Sequence, residues 1–519
     1  MARARGGRAA RRAARAGSDG DATASVIRQS EWGQLHYVDR AVEPLDAEGV
    51  ERIHDIAMRI LEEIGIDFLH EDARRFLADA GCSIVDGGPT VRMDREFIME
   101  MVARAPESFT ITPRNPAREI TIGSGRAAFG AVASAPNVSD LENGRRTGNR
   151  ADFRTLLKLT QSFNAVHFNF GYPVEPVDIH ASIRHLDALY DILTLTDKVA
   201  HAYSLGVERI EDAMEMVRIA GGLSWEEFEA QPRMFTNINS SSPLKHDWPM
   251  LDGAMRLAQH GQPVIVAPFT LAGAMAPITL AGAIAQQTAE ALAAIALLQW
   301  IRPGVPVGYG AFTSNVDMHT GAPAFGTPEY VRAMQMSGQM ARRYRLPWRA
   351  SNANAANYPD AQATWETCNS LYGATSGQAN FICHAAGWME GGLTASLEKF
   401  VIDCELLQQW THYHRPVSTE PEDLAFDAIR EVGPHGHFLG AEHTQARYKT
   451  AFYSPFLSDW RNYEAWEEAG AEKTHERAHR IWKELVANYS APAMDEGVRE
   501  ELEAFVQRRK DEGGAPTDF

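Results

Sequence analysis

Cysteine is scarce: 519 residues hold four, Cys82, Cys368, Cys383 and Cys404, and no two form a CxxC pair. A disulfide framework and a zinc ribbon therefore lack their material, and a reducing, cytoplasmic setting is expected. No GxGxxG or GxxxxGK[ST] turn is found to cradle a nucleotide phosphate, and GxSxG and HExxH, the marks of serine hydrolases and zincins, are missing too. Positive charge is also short. A formal net charge of −18 argues against nucleic-acid partners. The one dense basic run, six arginines within residues 1–16, comes without an apolar h-region, so residues 1–30 are expected to be a disordered basic tail and not a secretory signal. No membrane span is expected either. The most apolar stretch, Ile278 to Ile301, carries Gln286, Gln287 and Glu290 and reads as a buried helix.

What is present is ordinary globular material, 45% hydrophobic and 23% charged, arranged in a repeating pattern. Eight short β-branched or aromatic runs occur near Ala128 to Ala133, Val166 to Gly171, Lys198 to Ser204, Met234 to Asn239, Pro263 to Phe269, Pro306 to Thr313, Trp348 to Asn352 and Asn380 to Ala385. A stretch of helical period separates each from the next. Eight βα units predict an α/β fold, a (β/α)8 TIM barrel over residues 126–415, where an open doubly wound sheet would show a glycine-rich phosphate turn. Residues 31–125 are expected to form a helical segment capping the barrel, with Ile53, Ile56, Ala57, Ile60, Leu61 and Ile64 on one apolar face. Residues 416–519 are expected to be a C-terminal helical extension or an oligomer contact.

A barrel of this kind puts its chemistry at the carboxyl ends of the strands. The residues just beyond the eight runs are rich in amides and aromatics: Tyr172, Glu175, Tyr203, Asn237, Asn239, Phe269, Phe312, Asn315, Asp317, Asn352, Asn354, His384, Trp388 and Glu390. Aromatic faces attract a cation that has no proton to donate, by ~0.5–2 kcal/mol per contact. The plainer reading of any one of them is barrel filling or strand termination. Cys383 and His384 are strand neighbours that alternation sends to opposite faces, so no metal site is expected. His435, His437 and His443, in GPHGHFLGAEHT, are expected to belong to a structural turn.

The string GQPVIVAPFTLAGAMAPITLAGAIAQQTAEALA, followed by YGAFTSNVDMHTGAPAFGTPEY, resembles the signature region of the trimethylamine methyltransferase family. SPLKHDWPML and GPHGHFLGAEHT resemble it as well, so the likeness runs over residues 30–490. The resemblance implies a barrel enzyme that moves a methyl group from a methylated amine to the Co(I) of a cognate corrinoid protein, with no tightly bound cofactor of its own. Archetypal trimethylamine enzymes carry pyrrolysine. This sequence has none and is similar to the branch of glycine betaine methyltransferases. A quaternary nitrogen leaves as a neutral amine without receiving a proton, so that branch needs no general acid.

On this reading Tyr172, Phe269, Phe312 and Trp388 are candidates for a cation cage. Asn237, Asn239, Asn315, Asn352 and His384 would bind a carboxylate or orient the donor, with Glu390 and Asp317 as counter-charges. The sequence assigns no catalytic role to a particular residue, and the protein is expected to be a homo-oligomer. Two other readings stay open: a lyase or hydrolase using Asp317 and Glu390 as acid and base, and a non-catalytic betaine-binding protein.

Overall fold

The computed structural model describes residues 26–517. A curled parallel sheet forms its centre, built from β1 (Arg126–Ala131), β2 (Ala200–His201), β3 (Met234–Ile238), β4 (Val264–Val266), β5 (Val307–Gly310), β6 (Trp348–Ser351) and β7 (Phe381–Ala386). Hydrogen-bonded neighbours run β2-β3-β4-β5-β6-β7-β1, all parallel, and the short strand Leu35–His36 adds antiparallel to β1. The run Val166 to Gly171, expected as a further strand, makes no ladder. It contributes single bridges instead: Phe168 pairs with Gly130 of β1 on one side and with Val199, next to β2, on the other.

A helix follows each of these segments: α1 (Arg150–Ser162), α2 (Ala181–Leu195), α3 (Val207–Gly221), α4 (Trp248–Gln259), α5 (Leu280–Ile301), α6 (Pro328–Arg343), α7 (Ala361–Ser376) and α8 (Leu397–Tyr413). Their starts are written in the sequence. The side chains of Asn149, Asp247, Thr327 and Ser396 each accept a backbone N–H of the first turn, with Pro328 in the first turn of α6. Among the described residues α5 alone is long and apolar enough to cross a membrane, yet its side chains from Ala283 to Gln299 are buried in the protein.

The inside of the sheet is filled with rings. Phe168, Phe235 and Phe381 are fully buried and pack at centroid separations of 5.2–5.5 Å. Gly130 is required there, because a Cβ would stand 2.1 Å from the Phe168 ring. A hairpin, Phe109–Ile111 with Ile120–Ile122, joins the same apolar cluster. It lies at the amino ends of the strands, where Thr112 N donates to Pro232 O at 3.0 Å. The lower end of the curled sheet is thereby plugged, and the site is left to the opposite end.

Three expectations need correction. Residues 31–125 are not simply helical: Ile66–Phe68, Thr90–Arg92 and Ser83–Ile84 form a small sheet with Lys245–His246, because Ile66 and Phe68 alternate with polar Asp67 and bury on one face. The basic run 1–16 lies outside the described residues, but Val26 to Ser30 do not behave as tail. Ile27 is buried, and Ser30 N donates to Gln408 Oε1 at 2.7 Å. The turn expected around His435 is there, with His435 at φ +75°, but the imidazoles of His435 and His437 are exposed, whereas His443 Nε2 meets Glu422 O at 3.2 Å.

Candidate active site

A cavity of about 690 Å³ opens at the carboxyl ends of the strands. Ser134, Ala181 and Thr517 on its lining are exposed and mark the rim. Of the residues expected at the site, Tyr172, Asn237, Asn239, Phe269, Phe312, His384 and Trp388 line it. Its rings are linked in a chain of contacts. Tyr172 meets Tyr203 edge-on at 4.8 Å, Tyr203 meets His201 at 5.2 Å, and His201 meets Phe170 at 5.1 Å. Beyond Phe170 come His384 at 5.0 Å and Trp388 stacked on His384 at 5.0 Å, while Phe269 and Phe312 close the far side at 4.9 Å.

Two local devices set this geometry. Gly171 holds φ +105°, and a Cβ on it would strike the Tyr203 ring at 2.6 Å, so the chain can turn under the tyrosine only as glycine. Tyr203 Oη then bonds Ser134 Oγ at 2.7 Å and accepts Tyr172 N at 3.2 Å. At the other wall β7 slips register against β1 between Ile382 and Ala386, and His384 in that bulge has φ +53°. A bulge of this kind re-aims a side chain beside a site, and it overrides the simple alternation expected of Cys383 and His384.

Arg349 of β6 lies among these rings and was not foreseen. It is buried, with its guanidinium 4.8 Å from the Phe312 ring centroid and 5.5 Å from that of Phe170. Among the described residues no carboxylate pairs with it. Its Nη1 reaches Ala311 O at 3.4 Å, and its buried Nε has no hydrogen-bond partner among the described residues. Further buried polar atoms go unmatched on the same lining: His201 Nδ1, both nitrogens of His384 and the Asn237 Oδ1. His201 Nε2 accepts Asn237 N at 3.0 Å, which leaves the proton on Nδ1 as a donor. Burial holds His201 down to about 3 and His384 well below the usual imidazole range, so both rings are neutral. A buried cation and neutral donors without partners are costly unless something anionic meets them.

The outer part of the cavity is differently charged. Glu175 faces Arg184, whose Nη1 stands 3.4 Å from its carboxylate, and burial pushes the Glu175 carboxyl up. Tyr172 and Tyr203 are pushed up as well, chiefly by burial, and stay protonated.

Four expected residues lie elsewhere. Asn352 stands three residues after Arg349, so strand alternation turns it to the other face; its Nδ2 donates to Ala385 O at 3.0 Å. Asn315 belongs to a separate short strand, Ser314–Val316, where its Oδ1 accepts Thr327 Oγ1 at 3.1 Å. Glu390 pairs with Arg145 at 2.9 Å, away from the lining. Asp317 caps its own turn by accepting Thr320 Oγ1 at 2.6 Å, so Asp317 and Glu390 do not converge on the cavity as an acid and base.

The sequence is matched over residues 4–514 by the family model described as trimethylamine methyltransferase (MTTB). It is 36% identical to the glycine betaine methyltransferase of Desulfitobacterium hafniense (strain Y51), an alignment covering 91% of this chain and 98% of that one. A trimethylamine methyltransferase from the same species is 28% identical, with 90% and 94% covered. The proline betaine:corrinoid methyltransferase of Eubacterium limosum is 27% identical, with 91% and 98% covered. Among solved structures, the monomethylamine methyltransferase of Methanosarcina barkeri superposes with a TM-score of 0.52 at 9% identity, over 90% of this chain and 89% of that chain, a likeness of fold. With its family model spanning nearly the whole length and a relative above one-third identity, the chain is a methyltransferase and belongs to the trimethylamine methyltransferase family.

Proposed function

We propose that this enzyme takes a methyl group from a carboxylated quaternary amine, glycine betaine or a close relative, and delivers it to a corrinoid protein. The observation that carries the reading is buried Arg349, a cation without a carboxylate partner in an aromatic cavity. A zwitterion fits such a place. Its carboxylate would meet Arg349 Nε and the donors of His201 and His384, while the aromatic faces of Tyr172, Tyr203 and Trp388 would hold the trimethylammonium group nearer the rim. Glu175, also on the lining, is held in an ion pair with Arg184 at 3.4 Å.

A corrinoid carried by a partner protein would supply the Co(I) nucleophile at the rim. The chain's own residues then have three tasks: to anchor the carboxylate, to strip water from the cation and to point one methyl outward. They need not supply a proton, because the C–N bond pair stays on nitrogen and the amine leaves neutral. Neutral His201 and His384 suit that demand. We also take the curled sheet as a closed (β/α)8 barrel, with the Phe168 bridges as its last seam, and set the enzyme in the cytoplasm, in keeping with four free cysteines. The test is methylation of free cob(I)alamin, read by absorbance, with glycine betaine, other betaines, choline and trimethylamine offered in turn. Turnover restricted to carboxylated donors supports the reading, and turnover with trimethylamine alone overturns it.

A further inference from the structure

The cavity is larger than a small zwitterion needs. At about 690 Å³ it falls within the ~300–1,000 Å³ range of sites for drug-sized ligands. Part of that space lies behind the strands, between the sheet and its helices. On α2, Ala181, His185, Leu189 and Ile192 follow one another in steps of three or four residues and all line it, and on α3 Arg209 and Ala213 do the same. Ala181 to Ile192 covers ~16 Å of helix at 1.5 Å per residue. His201 at the end of β2 packs among the rings inside the sheet, so alternation turns its neighbour Ala202 outward, toward the helices, where it too lines the space. The result is a slot between α2, α3 and the sheet, continuous with the outer part of the cavity at Tyr172 and Tyr203.

Helices packed on a sheet seldom leave such a gap, because protein interiors hold few voids larger than a water molecule. Here Ala181, Ala202 and Ala213 stand where larger side chains would fill it, and Leu189 and Ile192 line its depth. The spacing of the two helices is fixed by a tie: His185 Nε2 of α2 meets Asp212 Oδ2 of α3 at 2.8 Å, and Arg509, from the helix Glu496–Asp511, donates Nε to Asp212 Oδ1 at 2.6 Å. The chain beyond that helix is pinned beside the slot. A Cβ on Gly514 would stand 2.1 Å from Ser182 O, so only glycine lets the backbone come close enough for Ala515 N to donate to that oxygen at 2.9 Å. Thr517 is thereby brought to the rim. Below His185 the side chains on the slot are aliphatic, a poor place for water and a good one for methylene groups.

We infer that the slot receives an apolar chain borne on the donor's quaternary nitrogen, so that the donors this enzyme binds best are N-alkyl-N,N-dimethylated amino acids. The inference rests on the function proposed above. With the carboxylate at Arg349, the nitrogen among Tyr172, Tyr203 and Trp388 and one methyl toward the rim, the remaining large substituent has the slot beside Tyr172 and Tyr203 to enter. Glycine betaine, with a third methyl in that position, leaves the slot unfilled.

Calorimetric titration of the full chain with N-alkyl-N,N-dimethylglycines, from the methyl compound, which is glycine betaine itself, up to octyl, tests this. From ethyl onward affinity should climb about fourfold for each added carbon, the value of a buried methylene, before it levels off. Ala213→Phe, which puts a ring into the slot, should flatten the climb, with Ala213→Leu in its place if the phenylalanine variant does not fold. Affinity that stays level or falls with chain length in the wild type overturns the proposal without reference to any variant, and so does a climb that the folded variant leaves intact. A parallel series of alkyltrimethylammonium ions, which lack the carboxylate, separates the slot from the anchor. If these ions climb while glycine betaine does not bind, the Arg349 anchor fails and the slot stands; glycine betaine bound with both series flat keeps the anchor and removes the slot.

Discussion

Replacing Arg349 by Met separates the anchor from the scaffold. Met approximates the aliphatic stem and removes the guanidinium, which has no carboxylate partner among the described residues. Losing one member of a desolvated carboxylate–guanidinium contact costs about 3 kcal/mol, or ~150-fold in Kd. Choline keeps the quaternary nitrogen and lacks the carboxylate, so its affinity should change less than about threefold, the part owed to lost packing against Phe312. Stability should move the other way. An uncompensated buried charge burdens the free enzyme, and an apolar side chain of similar length should raise the unfolding free energy by ~1–3 kcal/mol. Calorimetric titration with both ligands and a urea melt give the three numbers. Equal losses for glycine betaine and choline, or a melt showing that Met destabilises the fold, would refute the assignment and make Arg349 a structural residue.

Trp388→Ala should raise the concentration for half-saturation by any quaternary donor about tenfold, from ~1–2 kcal/mol of lost cation–π contact, with Trp388→Phe recovering most of it; unchanged calorimetric affinity removes the residue from the cage. Burial holds His201 down to about 3 and His167 to about 4, against 6.5 when unfolded. Both fold as neutral rings, so their contribution is complete above pH 6.5 and is lost as pH falls toward those values. The melting temperature should therefore decline from pH 6.5 downward, less steeply in His201→Gln, and identical slopes would count against the argument. Lys399 and Asp403 form an ion pair at zero exposure, and Asp403 Oδ2 also accepts Gly387 N at 2.8 Å, one residue before Trp388. Lys399→Met should cost ~3–5 kcal/mol by stranding the carboxylate, and Lys399→Met/Asp403→Asn should recover most of that in urea melts; a double variant no more stable than the single one contradicts it.

Much of the architecture was legible because hydrophobic period and helix caps act locally. Seven of the eight expected runs overlap the observed parallel strands. The run at Val166 to Gly171 shows the limit: its residues favour extended backbone, but Gly171 at φ +105° and the ring of Phe168 thrust against Gly130 leave room only for single bridges. At the site, aromatics just past strand ends were readable, whereas Asn315, Asn352 and Glu390 were not separable from true lining residues. One residue of phase in a strand, or two in a turn, moves a side chain to another face. Arg349 left a signal in LPWRASN, an arginine inside an apolar strand run, but sequence does not reveal that it has no acid beside it. His201 was hidden in the same way, within a run read only as strand.

The ring cluster of Phe168, Phe235 and Phe381, sealed below by the Phe109–Ile111 hairpin, makes the cavity a blind alley. Traffic in a blind alley has an order. With the rim at Ser134 and Ala181 as the doorway, the corrinoid protein proposed above would cover a donor already seated, and the demethylated amine would leave only after that acceptor had lifted away. Under that proposal the two substrates would add in a compulsory sequence, and the stripped amine would compete with fresh donor and not with the acceptor. A plug of phenylalanines far from the reacting carbon would then write the kinetic scheme.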